Sequence, residues 1–196
     1  MPIELMKNYY RTTTADAYIH MTIALHCAPF LKGIKDSALL VLKPEDAQAM
    51  GMMLSRMNAK CKLMYRNCKK IILLLYREAK LRELLQDRQI RHFLKKYGYG
   101  KCGQLDEILN CLKSRFQSAY GKRQEFPHEI GAFLGYPLED VEGFIENNGQ
   151  NSLLTGYWKV YSDKERAQKL FRRYDEAREV AIHEVLEGKK FYEIAV

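Results

Sequence analysis

The stretch KCKLMYRNCKKIILLLYREAKLRELL, residues 60–85, decides the fold class, because its middle part fits either a strand or a helix. Its aliphatic run does not repeat at the helical period of about 3.6 residues, and Asn67 supplies turn chemistry between two apolar runs. We therefore predict a hairpin of two strands, KCKLMYR and KKIILLLYR. The alternative is one helix over KIILLLYREAKLRELL.

Further strands and helices are predicted on both sides of the hairpin. SALLVL, residues 37–42, reads as a buried strand and GYWKVYS, residues 156–162, as a late strand. We expect one sheet to contain residues 37–42, 70–76 and 156–161. Caps, prolines at first helical positions and apolar periodicity predict helices over residues 14–26, 44–58, 78–121 with a break at 98–104, 127–134, 137–147 and a long C-terminal stretch capped by Asp163. Pro29 and Gly33 are expected to open a loop after the first helix.

These elements predict the α/β class in its α+β form, a helix-rich domain around a small sheet of three to four strands. The length of 196 residues suits a single globular domain, residues 1–196. The apolar fraction of 47% and the charged fraction of 29% are typical of a folded protein, and no low-complexity segment indicates disorder.

Short hydrophobic runs and the cysteine pattern predict a cytoplasmic protein without membrane attachment. The longest aliphatic run, residues 71–75, is far shorter than the roughly 20 residues that cross a bilayer. The N-terminal segment MPIELMKNYY has no apolar core of the kind that a signal peptide requires. An odd number of cysteines without a C-x-x-C pair argues against a disulfide framework and against a zinc site.

Charge is distributed unevenly along the chain, whose net charge is +8. Between Arg56 and Lys101 there are fourteen basic residues against three acidic ones, whereas residues 124–158 contain no Lys or Arg at all. One interpretation is attraction within the fold together with solvated helix faces. The other is that the basic segment, residues 56–101, binds nucleic acid, an anionic ligand or a protein partner.

Three strings of residues resemble a known family. They are HCAP-x-L-x-G-x-K at residues 26–35, FPHEIG-x-FLGYPLEDV-x-GFI at residues 126–145, and WKVY at residues 158–161. From about Ile19 to Tyr174 the chain resembles an uncharacterised bacterial family, the domain of unknown function numbered 3793. The resemblance implies no activity, cofactor or catalytic residue.

His128 and Cys27 are the candidate catalytic residues. Pro127 fits a first helical position, and an imidazole near a helix start tends to stay neutral, which is the form that a general base needs. Cys27 could then be a nucleophile activated by His128 from another part of the fold. The plainer alternatives are a helix cap for His128 and a buried small apolar residue for Cys27.

We therefore predict a small-molecule site between the HCAP loop and the PHEIG helix, in a protein of otherwise unknown function that could be a thiol-dependent enzyme. The candidate ligand-binding residues are His26, Lys32, Lys35, Glu129, Tyr136 and Trp158. No metal ligands are predicted, and the usual nucleotide fingerprints are missing, so the cofactor is unknown. Gly131 is not needed for a local turn, so its lack of a side chain could let another backbone or a ligand come close.

A nucleic-acid or protein-interaction module that uses segment 56–101 is the alternative function. EIGAFLGYPLEDVEGFI, residues 129–145, has the pattern of a helix-turn-helix. Its second helix is acidic and carries no base to meet phosphate, so sequence-specific DNA is not an expected partner. The sequence does not indicate an oligomeric state.

Overall fold

The described part of the chain, residues 14–122 and 125–196 of a computed structural model, alternates helices with a small central sheet. The helices are α1 (Ala15–Leu31), α2 (Ala47–Leu54), α3 (Glu78–Gln86), α4 (Arg88–Lys95), α5 (Leu105–Lys122), α6 (Ile130–Phe133), α7 (Leu138–Glu146) and α8 (Lys164–Leu186). The strands are β1 (Ser37–Leu42), β2 (Lys60–Arg66), β3 (Ile71–Tyr76), β4 (Leu154–Thr155) and β5 (Lys159–Val160). The predicted α+β class is confirmed. The predicted absence of a signal peptide concerns residues 1–13, which lie outside the described range.

The central sheet is antiparallel and has the strand order β1-β3-β2. The predicted hairpin is confirmed, with Lys60 opposite Tyr76 and Arg66 opposite Ile71. Asn67 closes its turn, because its side-chain oxygen accepts hydrogen bonds from the backbone N–H groups of Lys69 and Lys70 at 2.9 and 2.8 Å. The turn residue therefore sets the register of the strands, as the sequence suggested.

Strand β3 is buried on both faces, which explains its continuous aliphatic sequence. Ile71 and Leu75 pack in one core cluster with α1, α2 and the end of α8. Ile72 and Leu74 point the other way into a second cluster built with α3, α4, α5 and α6. The sheet is thus the middle layer between two helical layers.

The late strand is not part of this sheet, so the prediction of a single sheet is wrong for residues 156–161. β4 and β5 form a separate antiparallel pair, with Leu154 opposite Val160 and Thr155 opposite Lys159. The backbone N–H groups of Tyr161 and Ser162 donate to the Asp140 carboxylate instead of to a strand. The alternating sequence indicated an extended segment but not its partner.

The predicted loop at Pro29 is also wrong, because α1 continues through Pro29 to Leu31. Phe30 and Leu31 are fully buried, and their burial outweighs the one hydrogen bond that a proline removes in the last turn. The chain leaves the helix at Gly33, whose φ of +66° favours glycine. The residues of the predicted HCAP loop are therefore helical.

Helix α8 joins the first core cluster to a third one. Asp163 caps it as predicted, since its side chain accepts from the Arg166 N–H at 2.9 Å. Ala181 and Ile182 lie in the first cluster, whereas Ala167 and Tyr174 pack with Trp158 and Val160 in the third. The β4–β5 hairpin is thereby held beside α8. Across residues 14–122 and 125–196, no helix has the length and apolar character needed to span a membrane.

Candidate functional site

A cavity of about 190 Å³ lies between the α6–α7 turn and the β4–β5 hairpin. Half of its ten lining residues carry rings: His128, Tyr136, Phe144, Tyr157 and Trp158. The remaining lining residues are Ile130, Gly131, Asp140, Val141 and Lys159. Three of the predicted site residues, His128, Tyr136 and Trp158, are therefore brought together here.

Gly131 allows α6 to pack closely against α7 on the cavity wall. A Cβ atom at this position would lie 2.7 Å from Val141 Cγ2 and 3.3 Å from Tyr136 Cδ2. The close approach predicted for Gly131 is thus made by protein side chains. A larger residue would push Val141 or the Tyr136 ring away from its present position.

Asp140 fixes the indole of Trp158 in the wall. Its buried carboxylate accepts from Trp158 Nε1 at 2.7 Å and, at 2.8 Å each, from the N–H of Tyr161 and from the N–H and hydroxyl of Ser162. Burial opposes ionisation, but the hydrogen bonds from Tyr161, Trp158 and Ser162 outweigh it and lower the pKa of Asp140. The carboxylate is therefore an ionised structural acceptor, with three hydrogen bonds on Oδ1 and one on Oδ2.

His128 is half-buried in the cavity wall and does not cap a helix. Helix α6 begins at Ile130, and no side chain caps its N-terminus. The imidazole lies between the rings of Phe126 and Phe144, with centroid distances of 5.4 and 4.8 Å. It lines the cavity and makes no hydrogen bond to any residue within the described ranges.

Lys35 is the residue of the HCAP segment that approaches this wall. Its Nζ lies 4.7 Å from the centroid of the Tyr136 ring, and Tyr136 stacks on Trp158 at 5.0 Å. Burial lowers the pKa of the Lys35 ammonium to about 8, partly offset by the nearby Cys27. Among the described residues the ammonium has no carboxylate partner, and besides Cys27 its desolvation is compensated by cation–π contacts with Tyr136 and Tyr174.

Replacing Lys35 with methionine should raise the free energy of unfolding by about 2 kcal/mol at pH 7. Burial lowers the pKa of Lys35 from 10.5 to about 8, which costs the folded state about 3 kcal/mol, and the lost cation–π contact returns about 1 kcal/mol. The folded state binds fewer protons at this site than the unfolded chain, so the advantage of the variant should shrink as the pH rises from 8 to 10.5.

Urea unfolding of both proteins at several pH values measures this difference. The exposed Lys169 on α8 provides a matched control, and Lys169→Met should change stability by less than about 0.5 kcal/mol. A Lys35→Met variant that is less stable than the wild type at pH 7 would show that the ammonium is a net stabilising group.

Cys27 does not line the cavity. Its side chain is fully buried in the first core cluster, and desolvation raises the pKa of the thiol to about 12. Such a thiol is almost entirely protonated near neutral pH, and the thiolate is the nucleophilic form. The structure therefore does not bring Cys27 and His128 together at a site, and a thiol-dependent reaction remains a prediction without support from the geometry.

The other predicted ligand-binding residues have different surroundings. Lys32 forms an ion pair with Glu184 and donates to the carbonyl of Ile194 at 3.4 Å. His26 is exposed on α1. Glu129 is buried beside the cavity, where it pairs with Arg115 and accepts from the Tyr99 hydroxyl at 3.0 Å. None of these three side chains lines the cavity.

Seven cavity residues were not predicted as site residues, namely Ile130, Gly131, Asp140, Val141, Phe144, Tyr157 and Lys159, although Gly131 was noted as a point of close approach. Val141 and Phe144 lie on the apolar face of α7, a pattern that core packing explains equally well. Tyr157 and Lys159 flank Trp158 in the late strand, and no signal in the sequence separates them from ordinary strand residues. The aromatic composition of residues 126–161 was the available clue.

The basic segment is partly neutralised within the fold. Lys62 pairs with Asp106 at 2.6 Å, and Lys96 pairs with Glu142 at 3.3 Å. A wide surface groove places the basic side chains of α4 opposite the acidic side chains of α7. A surface of mixed sign does not suit a polyanion, which is attracted by an uninterrupted positive surface.

The fold and the cavity define an α+β protein with an aromatic pocket for which no reaction is evident. The chain belongs to the family described as "Protein of unknown function (DUF3793)", whose model matches residues 23–195. No curated protein and no solved structure matches the chain. The family membership supports the resemblance in the sequence and brings no activity with it.

Proposed function

We propose that this protein binds a small planar molecule with a single aromatic or heteroaromatic ring in the cavity beside His128. The observation that supports this is a half-buried imidazole, without a hydrogen bond to the described residues, in a wall of aromatic rings. Apolar cavities with a few convergent polar groups are the usual form of a ligand site. All five cysteines are unpaired, as is usual in the reducing cytoplasm. We therefore propose that the protein is located there.

The size of the cavity limits the ligand. Its volume of about 190 Å³ is below the roughly 300–1,000 Å³ of sites for larger ligands. An apolar cavity of about 150 Å³ is sufficient for benzene. One ring with one or two small substituents therefore fits, and two fused rings with substituents do not.

The polar groups favour a neutral or anionic ligand with a hydrogen-bond acceptor. Lys159 donates to the Gly149 carbonyl at 2.5 Å, which leaves further N–H donors of its ammonium. The Asp140 carboxylate already accepts four hydrogen bonds from the protein, three of them on Oδ1, so we assign the polar contact of the ligand to Lys159. An aromatic monocarboxylate such as benzoate or nicotinate satisfies both conditions, with its ring against the aromatic wall.

Trp158 makes the test direct, because it is the only tryptophan of the chain and it lines the cavity. Titrations with benzoate, nicotinate, benzylamine and 2-naphthoate should change its fluorescence for the first two and not for the amine or the larger acid. Ligand-observed NMR on the same four probes provides an independent measurement of binding.

Replacing His128 with asparagine should weaken binding of the acids about tenfold, the effect of losing about one hydrogen bond. The melting temperature should change little, because the imidazole stabilises no described residue through a hydrogen bond. His183 is an exposed histidine on α8, and His183→Asn is the control that should bind like the wild type. Equal affinities of the two variants, or no binding of any monocyclic acid at millimolar concentration, would contradict the proposal.

A further inference from the structure

Residues 189–196, which we call the clasp, complete the first core cluster. They follow α8 after Gly188, whose φ of +94° is left-handed, and they form neither helix nor strand. The side chains of Phe191 and Ile194 are only 0% and 4% exposed and pack in the same cluster as α1 and the end of α8. A segment without regular secondary structure thus places two side chains in the core.

Two arginines bind the clasp through contacts that do not change near neutral pH. Arg77 donates to the carbonyl of Val196 at 2.5 Å. Arg56 donates to the hydroxyl of Tyr192 at 2.6 Å, and its guanidinium lies 4.0 Å from the centroid of that ring. Arginine keeps its charge throughout the physiological pH range, so these contacts persist when the pH falls.

His20 binds the clasp through a contact that does depend on protonation. The imidazole lies on α1, is 3% exposed, and accepts at Nδ1 from the N–H of Phe191 at 3.3 Å. Its ring packs against those of Phe191 and Tyr192, with centroid distances of 5.3 and 5.9 Å. An imidazole that accepts at Nδ1 is neutral, with its proton on Nε2. A second proton on Nδ1 would place one donor against another.

We propose that the clasp is a pH-sensitive device, which is closed while His20 is neutral and opens when His20 takes up a proton. The protonated ring loses its hydrogen bond to Phe191 and becomes a charge in an almost fully buried position, which is costly. Opening moves Phe191 and Ile194 out of the core, and the apolar residues of the first core cluster become exposed.

The charges around the ring do not reverse the effect of burial. Burial lowers the pKa of His20, and Lys190 of the clasp lowers it further, whereas Asp16 of α1 and Glu193 of the clasp act in the opposite direction. These three side chains are exposed, so water and salt screen them. Because the pKa in the closed form lies below the ordinary value of about 6.5, closure is fully favoured above pH 6.5 and is weakened as the pH falls below it.

Hydrogen exchange of the full chain, followed by mass spectrometry at pH 7.5 and 5.5 and corrected for intrinsic rates, tests the proposal. The protection of residues 189–196 should fall several-fold at pH 5.5, and by no more than about tenfold, which is the limit for a histidine whose pKa in the open form is about 6.5. The protection of β3 should not change. Unchanged protection of the clasp would overturn the proposal, and so would an equal loss in β3, which would indicate unfolding of the whole core.

Two variants on α1 identify the titrating group. His20→Gln keeps an oxygen that can accept from Phe191 and does not titrate, so its clasp should be equally protected at both pH values. His26 is exposed on the same helix, and His26→Gln should keep the pH dependence of the wild type. If His20→Gln still loses protection at pH 5.5, another group opens the clasp and the proposal is wrong.

A measurement on the wild type alone covers the case in which His20→Gln does not fold. NMR titration of the His20 ring should give a midpoint below 6.5, because only the closed form lowers its pKa. A midpoint at or above 6.5 would mean that protonation does not oppose closure, and it would overturn the proposal without any variant.

Discussion

Replacing Asp140 with alanine should lower the free energy of unfolding by about 4 kcal/mol, measured by urea denaturation followed by far-UV circular dichroism. The substitution leaves four donors without their acceptor: Trp158 Nε1, the Tyr161 N–H, and the N–H and hydroxyl of Ser162. A buried donor without a partner costs about 1–3 kcal/mol. Trp158 is buried, whereas Ser162 is exposed and can turn to water, so the total is below the sum of four full costs.

Glu139 is the matched control for this substitution. It lies beside Asp140 in the first turn of α7, where both charges interact with the helix dipole, but its side chain is exposed. Glu139→Ala should therefore cost less than about 1 kcal/mol. Equal losses for the two alanine variants would mean that the dipole, and not the hydrogen-bond network, is what makes Asp140 important.

The pH dependence provides a second check on Asp140. Its pKa is lowered in the folded protein, so the stabilisation from its carboxylate is complete above the ordinary aspartate pKa of about 3.9. This stabilisation is lost as the pH falls through the folded value. The difference between wild type and Asp140→Ala should therefore decrease in acid, provided that both proteins are still folded there.

The pair Glu139 and Asp140 also shows what the sequence can predict. Both acids fit the same rule for the first turn of a helix, and the sequence gives no reason to treat them differently. The distinction arises because residues 158–162, which are adjacent to α7 only in the folded chain, supply the donors to Asp140. Tertiary hydrogen bonds of this kind have no local signature.

The hairpin and the cavity illustrate the same difference between local and non-local information. The β2–β3 hairpin could be predicted because Asn67 and the run IILLLY contain its turn and its burial within a short stretch. His128, Tyr136 and Trp158 were predicted from unusual strings of residues, and the structure places them in one cavity. Cys27 had an equally unusual string, yet it lies in the core, because local sequence does not determine which face of α1 is covered.

Replacing Arg115 with methionine should also lower the free energy of unfolding by about 4 kcal/mol at pH 7. Arg115 pairs with the carboxylate of Glu129, whose side chain is only 1% exposed. Methionine keeps much of the aliphatic contact but leaves a buried charge without its counter-ion. Removing one partner of a buried ion pair costs about 3–5 kcal/mol. On the surface, Arg82 pairs with Glu78, and Arg82→Met should cost less than about 1 kcal/mol.

A second substitution separates the effect of the unpaired Glu129 charge on stability from the effect of lost packing. Glu129→Gln removes the charge but keeps an oxygen that can accept from the Tyr99 hydroxyl. The double variant Arg115→Met with Glu129→Gln should therefore be more stable than Arg115→Met alone, by about 2 kcal/mol, although it carries one more substitution. If the double variant is the less stable of the two, the loss in Arg115→Met comes from packing, and the buried charge of Glu129 is tolerated without its partner.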